Sequence, residues 1–147
     1  MQFTSPAFEE KAKIPEKYTF GGANVSPPLR IGDVPDGARS LVILAEDIDS
    51  PIGVFTHWVV WNISPDTTEI PEGATPQGAQ IGCNGFGDTR YAGPCPPSGH
   101  HRYRFRLLAL DKELDATTPD RKDQIASEMK GHVIAEAALT GSYQAKP

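Results

Sequence analysis

Three stretches of the chain have the hydrophobic pattern of β-strands. Residues 40–47 are apolar on both faces of an extended chain, which is typical of a central strand in a sheet. Residues 56–63 are rich in β-branched and aromatic side chains, and residues 103–110 form a third predicted strand. The sequence therefore predicts a protein built mainly from β-strands.

Shorter strand candidates and turns fill the intervals between these segments. The candidates are residues 18–20, 80–82 and 141–143, and the turns include Pro35-Asp36-Gly37 and Pro71-Glu72-Gly73. This order of segments does not resemble repeating strand–helix units. We therefore predict a mainly β fold, a Greek-key sandwich of two antiparallel sheets.

Helical signals are confined to the C-terminal part of the chain. Thr118 followed by Pro119 predicts a helix start, with threonine as the N-cap and proline at the first helical position. Ile125 and Met129 are spaced to share one helical face, and Gly131 can end the helix. A second short helix is predicted to follow, through Val133, Ile134, Ala137 and Ala138.

Composition and charge narrow the class of protein. With 147 residues, 38% of them hydrophobic and 22% charged, the chain is predicted to form one domain over residues 1–147. The net charge of −5 argues against general nucleic-acid binding, which depends on a basic surface. The N-terminus shows no basic region followed by an apolar stretch, and no apolar run has the length of a membrane span. We therefore expect a soluble, cytoplasmic protein.

The two cysteines, Cys83 and Cys95, leave two interpretations open. In a reducing cytosol they are two free, largely buried thiols. Because they are close in sequence, a disulfide is the alternative, and loop closure would then contribute roughly 3 kcal/mol of stability. A metal site is not expected, because no second cysteine pair completes a tetrahedral set. No cofactor is expected either.

Two carboxylates follow the most apolar predicted strand. Asp47 extends the row formed by Leu41, Ile43 and Ala45, and Asp49 lies two residues further on, before Ser50-Pro51. Aspartate often ends strands because it favours turns, which is a purely structural interpretation. The functional interpretation places a carboxylate at the floor of a pocket. A cis Ser50–Pro51 bond is an additional hypothesis.

A loop stiffened by proline leads into the third strand. Residues 93–99 (Gly-Pro-Cys-Pro-Pro-Ser-Gly) cannot form a helix or a central strand, and such a loop suits the wall of a binding site. In the strand that follows, successive side chains point to opposite faces. Its inner face carries His101 and Tyr103, whereas Arg102, Arg104 and Arg106 share the other face, predicted to be solvated and paired with acidic neighbours.

A second histidine, His57, begins the strand at residues 56–63 in a similar way. Taken alone, a histidine at this position is more often a hydrogen-bonded core or edge residue than a ligand contact. If the two strand starts and the aspartate turn meet at one end of the sandwich, two imidazoles, two carboxylates and a phenol form one polar cluster. Imidazolium and phenol groups bind phosphate or carboxylate, and a nearby aspartate favours the protonated imidazole. The pattern therefore predicts an anion site.

These segments resemble the phosphatidylethanolamine-binding protein family, in its short bacterial and archaeal branch. That family has an Asp-Pro-Asp-x-Pro turn before a His-Trp strand, matched here by residues 47–51 and 57–63. Its second signature, Gly-Pro-x-x-x-x-Gly-x-His-Arg-Tyr, matches residues 93–103. Supporting matches lie at residues 24–29 and 131–137, so the resemblance covers nearly the whole chain. One departure is Ile48, where the family usually has proline.

The resemblance implies a two-sheet sandwich and one anion pocket, which in the family receives the phosphate of a phospholipid head group or a similar anion. Carried over by motif position, its lining is Asp47, Asp49, Pro51, His57, Gly93, Pro94, His101 and Tyr103. A homodimer is also implied for the prokaryotic branch.

We therefore expect a non-enzymatic protein that binds a small anion, of the phosphate or phosphoethanolamine type, and regulates a partner protein. The alternative is a protein inhibitor of a protease or kinase, which would use the stiff loops around the pocket. A third hypothesis is a hydrolase with an imidazole as general base, oriented by Asp47. No clear nucleophile pattern or complete metal set in the sequence supports that hypothesis.

Overall fold

The strand predicted at residues 40–47 lies at the centre of the larger of two antiparallel sheets. The computed structural model describes residues 1–146. Its strands are β1 (Gln2–Thr4), β2 (Leu29–Gly32), β3 (Ser40–Asp47), β4 (Phe55–Ile63), β5 (Glu69–Ile70), β6 (Gln80–Ile81), β7 (His100–Leu110) and β8 (Val133–Gln144). One helix, α1 (Lys122–Met129), and a short 3-10 helix (Glu16–Tyr18) complete the elements. The predicted mainly β, two-sheet fold is confirmed.

The larger sheet has the order β6-β4-β3-β7-β8, and the smaller has the order β1-β2-β5. Every neighbouring pair of named strands is antiparallel. The register pairs Asp47 with Phe55 on one side and with Tyr103 on the other. The end of β3 and the starts of β4 and β7 therefore meet at the same edge of the molecule.

The central strand is apolar on both faces because each face packs into a different core. Its inner face, with Leu41 and Ile43, joins the core between the two sheets, which also contains Trp58, Phe105 and Ile31. Its outer face joins a second core under α1, formed by Val42, Leu44, Val59, Trp61, Leu108, Leu110, Leu114, Ala116, Ile125 and Met129. Burial of each large apolar side chain stabilises the fold by about 1.5–3 kcal/mol.

The start predicted for the helix was wrong. The helix begins at Lys122, with Arg121 as N-cap, and the Arg121 N–H donates to Gln124 Oε1 at 2.8 Å. Thr118 does not cap it, because its hydroxyl donates to the Ile81 carbonyl at 2.7 Å and so anchors the preceding segment to β6. Ile125 and Met129 are both buried on one helical face, as predicted.

The second predicted helix was also wrong, because residues 133–144 form β8. This strand pairs with β7 along its whole length, from His100↔Gln144 to Leu110↔Val133. A run of small and apolar residues suits either conformation, and the long neighbouring strand decides between them. The candidate at residues 141–143 belongs to this strand, and the candidate at 80–82 corresponds to β6.

Two smaller expectations also require correction. No strand forms at residues 18–20, because Tyr18 ends the 3-10 helix and the Thr19 hydroxyl donates back to the Glu16 carbonyl at 2.7 Å. The Ser50–Pro51 bond is trans, and the cis proline bond within residues 1–146 is Thr118–Pro119. Across the same residues, no helix combines the length and apolar character needed to cross a membrane.

Candidate functional site

Four predicted site residues come together at the meeting point of β3, β4 and β7. Asp47 ends β3, His57 lies near the start of β4, and His101 and Tyr103 lie at the start of β7. All four are buried, with exposed fractions between 2% and 7%. The antiparallel register brings Asp47 next to His101, although the two residues are 54 positions apart in the sequence.

Asp47 and His101 form a buried pair. The two groups are joined at 2.7 Å between His101 Nδ1 and Asp47 Oδ2. The other carboxylate oxygen, Oδ1, accepts the Asp49 backbone N–H at 2.9 Å. Both oxygens of this buried carboxylate therefore have partners, which offsets the cost of removing the charge from water.

A β-bulge sets the direction of His57. Between the pairs Ala45↔Trp58 and Glu46↔Thr56, β4 contains one residue more than β3, and that residue is His57. Strict alternation would place His57 on the sheet face opposite to Trp58. The bulge instead brings it to the cavity, where it packs edge-on against Tyr103 with ring centroids 5.3 Å apart.

The hydrogen bonding of His57 defines its proton position. Nδ1 lies 2.7 Å from the Ala92 carbonyl oxygen, which can only accept, so Nδ1 carries the hydrogen. Nε2 makes no hydrogen bond with the described residues and is the acceptor nitrogen of the neutral ring. Burial lowers the pKa of His57 below its ordinary value, although Ala92 and Asp47 oppose the shift. His57 is therefore mainly neutral at pH 7.

Tyr103 carries a buried hydroxyl that finds no hydrogen-bond partner within residues 1–146. Burial, followed by the negative charge of Asp47, raises the pKa of Tyr103, and the Cys95 backbone is close enough to influence it too. The group therefore remains a protonated donor. Leaving such a group unpaired away from water costs about 1–3 kcal/mol.

A cavity of about 250 Å³ opens beside these groups. Its lining residues are Asp47, Ser50, Pro51, Ile52, Phe55, His57, Phe86, Cys95 and Pro97. Polar groups therefore lie at the floor and mostly apolar side chains form the walls. Of the eight predicted site residues, the structure places Asp47, Pro51 and His57 in the lining, with His101 and Tyr103 packed behind them.

The other three predicted site residues hold the surrounding loops in place. Asp49 faces Arg102, accepting its backbone N–H at 2.8 Å and its Nε and Nη2 at 2.9 and 2.8 Å. Its hydrogen bonds to Arg102 lower the pKa of Asp49 to about 2. The Gly93 N–H donates to Asn24 Oδ1 at 2.7 Å, and the Pro94 carbonyl accepts the Phe20 N–H at 3.0 Å.

Gly93 is required where it lies, because a Cβ at that position would approach the Tyr18 carbonyl oxygen to 2.1 Å. The predicted pairing of the arginine row is found: Arg104 and Arg106 both bind Glu46, which is 1% exposed on the outer face of β3. His100 is exposed.

Sequence reasoning missed six lining residues. Ser50 and Ile52 flank Pro51, Cys95 and Pro97 belong to the proline loop, and Phe55 precedes His57 by two residues, so each had a local signal. Phe86 had none. It lies in a turn in which Asn84 Oδ1 accepts the Phe86 and Asp88 N–H groups at 2.9 and 3.1 Å. This turn places the Phe86 ring 4.8 Å from that of Phe55.

The cysteines are free thiols. Cys83 is buried, as predicted, but Cys95 is exposed on the cavity wall. Within residues 1–146, no group of three or more histidine, cysteine, aspartate or glutamate side chains is arranged to hold a metal ion.

Comparison with known proteins gives a consistent result along the whole chain. A family model described as phosphatidylethanolamine-binding protein matches residues 4–144. A UPF0098 protein of the archaeon Methanothermobacter thermautotrophicus is 45% identical, over 98% of this chain and 99% of that protein. A UPF0098 protein of Chlamydia pneumoniae is 44% identical with the same coverage.

Comparison with solved structures gives the same result as the sequence comparisons. A phosphatidylethanolamine-binding protein homologue from Chlamydia trachomatis has a TM-score of 0.93 at 42% identity, covering 99% of this chain and 97% of that one. E. coli YbcL, described as a member of the mammalian PEBP family, has a TM-score of 0.93 at 29% identity, covering 99% and 98%. The resemblance inferred from the two sequence signatures is confirmed, and the chain belongs to the phosphatidylethanolamine-binding protein family.

Proposed function

We propose that this protein binds a small oxyanion, of the phosphate or phosphoethanolamine type, in the cavity beside Asp47 and His57. The observation that carries the proposal is the buried, unpartnered hydroxyl of Tyr103. A ligand oxygen placed near it would accept its hydrogen bond and relieve the cost of leaving it unpaired. The free Nε2 of His57 supplies a second contact once it is protonated.

The role is binding rather than catalysis. The hydrolase hypothesis requires an imidazole that is oriented by Asp47. His101 is oriented in this way, at 2.7 Å from Asp47, but it is not among the residues that line the cavity. Phosphate in the site would be held by hydrogen bonds from an imidazolium and a phenol, since no lysine or arginine is among the described lining residues. Binding is therefore expected to be of modest strength and to depend on pH.

The direct test is an NMR titration of the four histidine side chains with phosphate and phosphoethanolamine. The imidazole signals of His57 and His101 are expected to shift together and saturate. His100 and His132 serve as internal controls, because His100 is exposed and His132 pairs with Asp111 at 2.7 Å instead. Unchanged signals at millimolar ligand near neutral pH would sink the proposal, and turnover of phosphoethanolamine would replace it with an enzymatic function.

We also propose that the homodimer implied by the family resemblance forms through the edge of β8. Residues 140–142 of that edge are covered by the chain's own N-terminal segment: the Lys11 N–H donates to the Thr140 carbonyl at 2.6 Å, and the Ser142 N–H donates to the Ala12 carbonyl at 2.9 Å. Residues 133–138 have no such cover within the described chain, and Val133 and Ile134 are 41% and 42% exposed. An uncovered apolar edge is a template for pairing with another strand.

Sedimentation velocity tests this dimer. The Ala138 N–H shares the outward direction of Thr140 and Ser142, so Ala138→Pro removes a donor that the monomer does not use. We expect this variant and Ile134→Lys to sediment as monomers, with unchanged circular dichroism. A stable dimer should be associated at a protein concentration of about 100 μM. A wild-type protein that is monomeric at this concentration would contradict the dimer.

A further inference from the structure

The two cysteines have opposite environments. Cys83 is 8% exposed, and its thiol lies 3.6 Å from the Asn84 carbonyl. Cys95 is exposed to solvent and forms part of the wall of the cavity, on the same lining as Asp47 and His57. Reaction of a thiol requires access, so a reagent in solution should distinguish the two side chains.

The loop that carries Cys95 is held firmly on both sides. Pro94, Pro96 and Pro97 restrict its backbone, and the Phe20 N–H binds the Pro94 carbonyl at 3.0 Å. At the far end, the Ala145 N–H binds the Gly99 carbonyl at 2.8 Å. The thiol is therefore kept at the cavity wall.

A second feature, directly behind the cavity lining, points to a ligand. The Tyr103 hydroxyl is not among the lining groups; it is buried without a hydrogen-bond partner, and it lies close to both Asp47 and the Cys95 backbone. A negatively charged group attached to the sulfur of Cys95 could therefore reach a hydrogen-bond donor that the protein leaves unused. The cavity of about 250 Å³ holds the equivalent of roughly eight waters at about 30 Å³ each, which suits a substituent of a few heavy atoms.

We propose that Cys95 is a modification site for small disulfides that carry a carboxylate, and that the resulting mixed disulfide closes the cavity to free anions. The inference rests on the proposed anion binding, since both ligands use the same donors. In the reaction, the Cys95 thiolate attacks one sulfur of the reagent, whose S–S bond breaks as a new bond to Cys95 Sγ forms. The second sulfur leaves as a thiolate, and the thiol proton of Cys95 passes to solvent. Excess thiol reverses the exchange.

The test compares 3,3′-dithiodipropionate, which is anionic, with bis(2-hydroxyethyl) disulfide, a neutral reagent of similar length. Intact-mass spectrometry with peptide mapping follows the reaction in the folded protein, and Cys95→Ser and Cys83→Ser are the matched variants. We expect adducts at Cys95 and not at Cys83. The anionic reagent should react several-fold faster relative to its rate with a free thiol, and excess phosphate should slow it about tenfold or more.

The decisive readout is the His57 NMR shift caused by phosphate, measured before and after modification. We expect the dipropionate adduct to abolish the shift and reduction with excess thiol to restore it. If the shift persists on the fully modified protein, or if Cys95 reacts no faster than Cys83, this inference is wrong while anion binding stands. If the unmodified protein shows no shift, the proposed function itself fails, and the inference fails with it.

Discussion

At the residue scale, the site is defined by which polar groups have partners and which do not. Asp47, His101 and Nδ1 of His57 are all engaged with protein groups, whereas the Tyr103 hydroxyl is left without one. Natural proteins pair nearly all buried polar groups, so an exception of this kind calls for an explanation. A ligand bound in the cavity would provide this explanation.

Replacing Tyr103 by phenylalanine should separate binding from stability. Without ligand, the variant should be as stable as the wild type or more stable by about 1–3 kcal/mol, because the unpaired hydroxyl is removed. Its affinity for phosphate should fall by about tenfold to a hundredfold, the value of a hydrogen bond to a charged group. Urea unfolding and calorimetric titration measure the two quantities.

The matched control for this substitution is Tyr91→Phe. The Tyr91 hydroxyl is also buried, but it donates to the Tyr18 carbonyl at 2.7 Å. Its removal should lower stability by about 1 kcal/mol and leave affinity unchanged. If Tyr103→Phe destabilised the protein as Tyr91→Phe does and bound phosphate normally, the hydroxyl would have a structural role only.

The neutral state of His57 predicts that anion binding takes up a proton. Burial lowers the pKa of the free imidazole, whereas a bound anion favours the charged form and raises it. Affinity for sulfate, which does not titrate near neutral pH, should therefore rise as the pH falls from 8 to 6, by at most about tenfold per pH unit. The rise should end below the pKa of the free ring.

Calorimetry in buffers of different ionisation enthalpy measures the number of protons taken up. His57→Gln should flatten the pH profile, since glutamine offers a hydrogen bond but no charge. A profile that keeps its full slope in this variant would show that the proton is not taken up by His57.

At the element scale, the end of β3 presents two acidic residues to opposite sides of the sheet. Asp47 faces the cavity, whereas Glu46 faces outward, 1% exposed, among Arg104, Arg106 and Lys122. Burial would raise the pKa of Glu46, but its partners, Lys122 foremost, lower it below the ordinary value. Because Lys122 begins α1, this cluster joins the helix to β3 and β7.

Glu46→Gln should therefore loosen α1 from the sheet. We expect a loss of about 3 kcal/mol at pH 7, the lower end of the range for breaking a buried ion pair, because the three cations are partly exposed. The lowered pKa means that this stability is present above about pH 4.5 and is lost as the pH falls further.

Glu136→Gln is the matched control, because Glu136 pairs with Arg106 at 2.7 Å but is 43% exposed. It should cost at most about 1 kcal/mol. Urea unfolding between pH 3 and pH 7 compares the stability of the two variants. Equal losses in the free energy of unfolding would show that burial does not increase the contribution of the Glu46 ion pairs.

At the scale of the whole molecule, two hydrophobic cores lie on the two faces of the larger sheet, and the cavity opens at one end of that sheet. The overall charge of −5 does not attract anions, so affinity depends on the few groups at the cavity floor. A ligand that binds only the folded state must also raise its stability.

Phosphate at ten times its dissociation constant should raise the free energy of unfolding by about 1.4 kcal/mol. For a chain of this size the melting temperature should increase by roughly 3–6 °C. Differential scanning calorimetry measures the increase, with sodium chloride at equal ionic strength as the control. The same increase in Tyr103→Phe would show that phosphate acts elsewhere on the protein.

The sequence by itself determined the mainly β fold, the three long strands, the family and the grouping of Asp47, His57, His101 and Tyr103. These features follow from local periodicity and from signatures that a linear chain displays directly. Alternation along residues 101–107 correctly separated His101 and Tyr103 from the arginine row, because side chains of a regular strand point to alternate faces.

Only the tertiary structure decided the rest. The bulge that turns His57 into the cavity, the strand conformation of residues 133–144 and the arrival of Phe86 all depend on neighbours distant in sequence. The same holds for the exposure of Cys95 and the missing partner of the Tyr103 hydroxyl. Whether a polar group finds a partner is settled by packing between segments, and no local pattern along the chain records that packing.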